Sequence, residues 1–203
     1  MYKFIQKMYN VLNKGKEKIL ECLYKSRKEL YFSEILRETG LTPNTTLKHL
    51  NNLKDLIISK KTKGNTFYEL NNKNFQIFSI FSYFDYKRFN ELDKTRKRAI
   101  NEFLEKLGTK PLIALIFGST AKKSYTKKSD IDILLIYNKE EEEDKKLKKD
   151  IESITGMNIQ AFIIDYTYFK EQLLKKEDNV VIHAVKTGFV VIGSYYFYKE
   201  VLK

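Results

Sequence analysis

Phe117-Gly118-Ser119-Thr120-Ala121-Lys122-Lys123-Ser124-Tyr125-Thr126-Lys127-Lys128-Ser129-Asp130-Ile131-Asp132-Ile133 is the stretch on which the fold and the chemistry turn. It follows the continuous apolar run Leu112 to Phe117, which reads as a central strand feeding a turn at Gly118. Gly118 lets backbone approach a ligand closely at that strand end, and Ser119 and Thr120 offer hydroxyls and N–H groups to an anion at the start of a short helix. Asp130 and Asp132 are two apart on a second expected strand, Ile131 to Tyr137. Alternation therefore puts both carboxylates on one face and turns Ile131 and Ile133 into the core. Two close carboxylates repel and raise each other's pKa unless a cation lies between them. A divalent metal is the natural third party, and Mg²⁺ fits best because it takes hard oxygen ligands and keeps positions for water and phosphate.

The spacing resembles the DNA polymerase β-like nucleotidyltransferase superfamily, whose pattern is a hydrophobic residue, Gly, Gly or Ser, about ten residues, then Asp-hydrophobic-Asp/Glu-hydrophobic. The full string looks like the minimal nucleotidyltransferases of archaea and bacteria. The resemblance implies that Gly118, Ser119, Thr120, Lys128 and Ser129 line a nucleotide site, and that Asp130 and Asp132 are the catalytic, metal-holding pair. Many relatives carry Gly in the helix after Gly-Ser and Arg before Ser-Asp. Here Lys123 and Lys128 stand there, keeping charge but not bidentate phosphate geometry. Active relatives also have a third carboxylate on a later strand, and the matching position here is Gln160. Asp165 falls at the end of that strand, where it reads as the cap of the next helix.

The first third of the chain carries a different pattern. Ile19, Leu20, Leu23 and Tyr24 recur at helical spacing between Lys14 and Tyr24. Ser33 reads as the N-cap of a short helix through Glu38, closed by Gly40. Thr42-Pro43 starts another helix running to about Leu56, with Leu47, Leu50 and Leu53 as its buried stripe. Strands at 57–61 and 66–70 follow, joined by a basic turn. This order resembles the winged helix-turn-helix domains of prokaryotic transcription regulators. The resemblance implies that Asn44, Thr45, Lys48 and Asn51 enter a major groove of double-stranded DNA, while Lys60, Lys61 and Lys63 on the wing meet phosphates.

Charge fits that division. The 203 residues carry 38 Lys+Arg against 26 Asp+Glu, a formal charge of +12. Residues 1–70 hold 14 basic and 7 acidic groups, so the first third is the part suited to a polyanion. Cys22 is the one cysteine, which excludes an intrachain disulfide and a cysteine-type zinc site. No apolar run is long enough to span a bilayer, and the start lacks a signal peptide's apolar core, so a cytoplasmic location without a membrane partner is expected.

The sequence thus predicts an α+β protein: a winged helix-turn-helix domain (1–72), a helical connector (73–108), and a nucleotidyltransferase-like domain (109–203) with a small mixed sheet flanked by helices. Aromatics from 71 to 84 suit internal packing, 87–107 reads as one long helix, and 139–155 as a charged helix with its acids N-terminal. His49 and His183 stand alone and are read as packing or surface residues. The expected function is Mg²⁺-dependent transfer of a nucleoside monophosphate from an NTP, ATP being the expected one, to an unknown protein or RNA acceptor. The alternative is a transcription regulator that binds nucleotide without efficient catalysis. A homodimer is expected if the DNA site is palindromic.

Overall fold

The computed structural model describes residues 13–62 and 64–202. The chain divides into two compact units, one ending at Phe84 and the other beginning at Asp85. The architecture is α+β, and among the described residues no helix is long and apolar enough to cross a membrane.

In the first unit, helix α1 (Lys14–Ser26) buries Ile19, Leu20, Leu23 and Tyr24. A two-residue strand β1 (Leu30–Tyr31) leads directly into α2 (Phe32–Thr39). The helix therefore starts one residue before Ser33, with Glu34 reaching back to accept the Tyr31 N–H at 2.8 Å, so Ser33 lies inside the first turn and is not the cap. Gly40 closes α2 at φ +64°, a left-handed position suited to glycine. Thr42 caps α3 (Pro43–Asn52) with Pro43 at its first turn, as the sequence predicts. The helix ends at Asn52, four residues short of the expected Leu56, because Leu53 to Leu56 turn back to start β2 (Ile57–Thr62).

The buried stripe of α3 differs from the expected one. Thr46, Leu50 and Leu53 face inward at i, i+4, i+7 spacing, whereas Leu47 is 43% exposed. A single position on a helix turns 100°, so choosing Leu47 over Thr46 rotates the face outward. His49 packs between α3 and α1: a Cβ on Gly15 would lie 2.2 Å from its Nε2. Strand β3 (Asn65–Leu70) pairs antiparallel with both β2 and β1, giving the order β1-β3-β2. The unit thus runs helix, short strand, two helices and a terminal hairpin, the strand at Leu30–Tyr31 being an element that the sequence did not predict.

Helix α4 (Gln76–Asn90) follows. Phe78, Phe81 and Phe84 are buried, and Tyr24 lies 5.0 and 5.2 Å from the rings of Phe81 and Phe84. Phe75, grouped with them from sequence, is instead 72% exposed, since it precedes the helix. The segment 87–107 is broken at Glu91–Asp93, where Asp93 accepts the Arg96 N–H at 2.9 Å and caps a new helix, α5 (Lys94–Lys106).

The second unit is built on a four-stranded mixed sheet, order β6-β5-β4-β7. Strand β4 (Ile113–Ile116) is antiparallel to β5 (Ile131–Tyr137) and to β7 (Phe189–Ile192), while β6 (Ile159–Asp165) runs parallel to β5. On one side, Ala114, Ile116, Ile133 and Leu135 form a core with Ile100, Phe103 and Leu104 of α5 and with Leu147 and Ile151 of α7 (Lys145–Thr155). Helix α5, read from sequence as connector, is thus part of this unit's core. α7 begins six residues later than expected because Asp144 accepts the Leu147 N–H and caps it, leaving the acidic run 140–143 ahead of the helix. After α7 come the helices α8 (Tyr166–Lys175), α9 (Asn179–Thr187) and α10 (Ser194–Val201), the last not anticipated from sequence.

Candidate nucleotide site

Strand β4 ends at Phe117, whose N–H donates to the Asp132 carbonyl at 3.0 Å, and the chain turns into the short helix α6 (Gly118–Lys122). Gly118 sits at φ +65°, and a Cβ there would fall 1.9 Å from Asp132 Oδ2. Any side chain at position 118 would occupy the space of the carboxylate, so only glycine brings backbone and acid together. The two halves of the motif, separated by thirteen residues of sequence, are in direct apposition.

Asp130 is exposed and Asp132 half-buried. Burial, and then the Asp130 charge, push the Asp132 carboxyl above the usual range, while His183 and Arg96 pull it partly back. The donor set suits Mg²⁺. Two hard carboxylates at the mouth of a glycine cradle leave the other positions to water and phosphate, the manner in which that ion is ordinarily held. Among the described residues, no three His, Cys, Asp or Glu side chains gather into a closed metal site.

The loop between α6 and β5 is held by a residue that motif reading missed. Arg96 on α5 is 1% exposed. Its Nη1 donates to Thr120 Oγ1 at 2.9 Å and to the Asp130 carbonyl at 3.4 Å. Its Nη2 donates to the Thr126 and Ser129 carbonyls at 2.9 and 2.7 Å. Asp93 Oδ2 lies 3.5 Å from its Nε, and the Tyr125 ring is 4.1 Å away. A planar fork with five donors spans acceptors several ångströms apart, whereas a lysine's donors all radiate from one nitrogen. The signal in sequence was faint: one arginine on a charged helix, far from the motif.

Four of the expected nucleotide contacts separate accordingly. Thr120 is fully buried, and its hydroxyl accepts from Arg96 and lies 3.4 Å from the Asp130 carbonyl, so that hydroxyl ties helix to loop. Ser129 Oγ accepts the Thr126 N–H at 2.9 Å and shapes the same loop. Ser119 and Lys128 keep side chains with no hydrogen bond or ion pair among the described residues, as phosphate contacts require. Lys123, at the left-handed end of α6, is paired with Glu91.

Gln160 is directly opposite Asp132 in the parallel register of β5 and β6. Asp165 pairs with Tyr137, five residues further along and so about 16 Å away. Its Oδ1 accepts the Thr167 and Tyr168 N–H groups at 2.8 and 2.9 Å, making it the helix cap that the sequence suggested. His183, read from sequence as solitary, belongs to this neighbourhood: its ring is 6.0 Å from Phe117 and its charge is felt at Asp132.

In the first unit, Asn44, Lys48 and Asn51 are exposed along one side of α3. Thr45 is half-buried, and its hydroxyl accepts from Thr42 at 2.9 Å. On the hairpin Lys61 is exposed, whereas Lys60 is paired with Glu69 at 2.7 Å, which raises the pKa of its ammonium through that hydrogen bond. Lys63 lies outside the described residues.

No curated protein matches this chain. Among solved structures it is similar to TrmBL2, described as an archaeal chromatin protein whose structure shows a novel mode of DNA binding. Identity is 18%, coverage 87% of this chain and 74% of that one, and the TM-score 0.29, too low to carry an argument. Residues 98–184 match the family model of "Polymerase beta, Nucleotidyltransferase", a span that begins within α5 just after Arg96 and takes in both halves of the motif, Gln160 and His183, so the second unit carries a nucleotidyltransferase-like domain.

Proposed function

We propose that the chain is a DNA-binding protein whose second unit binds a nucleoside triphosphate with Mg²⁺ and transfers its nucleoside monophosphate to an acceptor hydroxyl. The observation that carries this reading is the apposition of the Gly118 backbone to the Asp132 carboxylate. Asp130 and Asp132 would hold the ion, which supplies charge neutralisation to the triphosphate and the leaving pyrophosphate. Gly118 and Ser119 give the triphosphate a close backbone approach, and Lys128 supplies a point charge beside it. Arg96 fixes the loop so that the carboxylates are in place before the nucleotide arrives. In the reaction the acceptor oxygen bonds to the α-phosphorus and the bond to the bridging oxygen breaks, releasing pyrophosphate and the acceptor's proton.

A second reading has its own support. Gln160 stands beside Asp132, and an amide neither takes up that proton nor adds charge to a metal site. Nucleotide binding could therefore persist with little turnover, and the protein would act as a transcription regulator that senses a nucleotide. The DNA-binding half rests on the exposed polar face of α3 and the basic hairpin, which fit a major groove and flanking phosphates of double-stranded DNA.

Labelled NTPs with Mg²⁺ and protein or RNA acceptors, alongside the Asp130→Ala/Asp132→Ala variant, separate the readings. Transfer by the native chain and not the variant is the expected result. Binding without any transfer by the native chain would sink the enzyme reading and leave the sensor.

A further inference from the structure

The face of the sheet that carries Asp132 also carries a short aromatic row. Alternation places Asp132 and Leu134 on one side of β5, and the parallel register sets Gln160 and Phe162 beside them on β6. Phe117 continues the same side from β4. The Phe117 ring lies between two others, 5.5 Å from Phe162 and 6.0 Å from His183 of α9. Phe117 itself is only 5% exposed, while Phe162 and His183 are both partly open to solvent. The result is a buried ring flanked by two accessible ones at the edge of the phosphate cradle.

We propose that His183 and Phe162, backed by Phe117, form the nucleoside end of the site and take the base of the triphosphate that the cradle binds. The inference rests on the nucleotide-binding reading above and adds to it the part of the ligand that the motif does not address. Strand geometry puts the backbone of Phe162 about 8 Å from that of Asp132, comparable with the span from a nucleotide's α-phosphate to its base. Among the described residues the His183 imidazole has no hydrogen-bond partner, although it lies close enough to act electrostatically on Asp132. One ring face is thus offered for stacking and a ring nitrogen for a polar edge of the base. Because no three-membered metal group forms here, the imidazole is assigned to the base and not to the ion. Stacking is tolerant of base identity but grows with ring area, so purine nucleotides bind more tightly than pyrimidine ones.

Calorimetric titration of the full chain with ATP, GTP, CTP, UTP and inorganic tripolyphosphate, with Ca²⁺ replacing Mg²⁺ to suppress turnover, tests this. ATP is expected to bind more tightly than tripolyphosphate. His183→Ala and Phe162→Leu should each weaken ATP about tenfold, and Phe162→Leu, which is away from the cradle carboxylates, should leave tripolyphosphate unchanged. Phe162→Tyr, which keeps the ring, should retain ATP affinity and guards against a variant that merely fails to fold. Equal binding of ATP and tripolyphosphate by the native chain, unchanged ATP affinity in both ring variants, or equal losses for both ligands would each overturn the base assignment while the phosphate cradle stands. No binding of either ligand by the native chain would defeat the nucleotide reading and this inference together.

Discussion

Asp132 and Gln160 are direct neighbours across the parallel strands β5 and β6, so under the proposed function an amide stands where a third carboxylate would act. Replacing Gln160 by Asp should therefore tighten Mg²⁺ binding and raise any label transfer, each by about tenfold, the scale on which changes around a metal site are felt. The same change adds a third negative charge to the cradle and should lower the melting temperature in metal-free buffer, with Mg²⁺ restoring it. Melting curves with and without Mg²⁺, beside an isothermal metal titration, check both arms. A variant whose stability ignores the ion would show that position 160 is not part of the site.

The Gly118 turn, the Asp130/Asp132 pair and the Thr42-Pro43 helix start were legible in the sequence, because each is written in residues a few positions apart. What was not legible depends on distant pairs. Arg96 is 24 residues from the Thr120 that it binds and carries no local pattern. His183 looked solitary because α9 returns to the cradle only through the fold. Leu47 was misplaced for another reason: hydrophobicity favoured it for the core over Thr46, but the helix phase set by Leu50 and Leu53 selects the threonine. At 139–155 the acids-then-lysines order fits a helix dipole over the whole run, but the cap at Asp144 decides the start.

Arg96 is expected to be the most sensitive position in the second unit outside its apolar core. Arg96→Met removes the guanidinium from the Thr126, Ser129 and Asp130 carbonyls, leaving the Ser129 carbonyl without a donor, and should cost about 3 kcal/mol of unfolding free energy. Arg96→Lys should recover only a minor part, since a single ammonium cannot span the same acceptors. Denaturant melts of the three proteins decide this. Full rescue by lysine would mean that charge alone matters there and that the fork geometry does not.

Stability in the absence of metal should fall as pH rises through the titration of Asp132. Burial and the neighbouring Asp130 hold its carboxyl above the usual aspartate range in the folded state. The folded protein therefore binds more protons than the unfolded chain between the ordinary aspartate value and the raised one, and unfolding free energy declines with pH across that window. Asp132→Asn removes the effect. It should be more stable than the native chain at neutral pH without Mg²⁺, and the difference should vanish below the ordinary aspartate range, where both are uncharged. Urea melts over a pH series read this directly; a difference that persists in acid would assign it to packing instead of charge.

The exposed side of α3 makes a prediction about how DNA would be read. Asn44, Leu47, Lys48 and Asn51 share that side, and Leu47 is the one large apolar group among them. A lysine that meets a phosphate contributes salt-dependent affinity, so Lys48→Ala should weaken binding to all sequences alike and reduce the slope of log affinity against log salt by about 0.9. Leu47→Ala should leave that slope unchanged. Its expected loss is about 1 kcal/mol of discrimination at a single position, where an apolar side chain meets a thymine methyl. On the hairpin, Lys61→Ala should weaken binding more than Lys60→Ala, because Glu69 already satisfies Lys60. Mobility shifts on promoter DNA at several salt concentrations resolve these effects. If Leu47→Ala changed the salt slope while Lys48→Ala changed only sequence preference, α3 could not lie in the groove in this orientation.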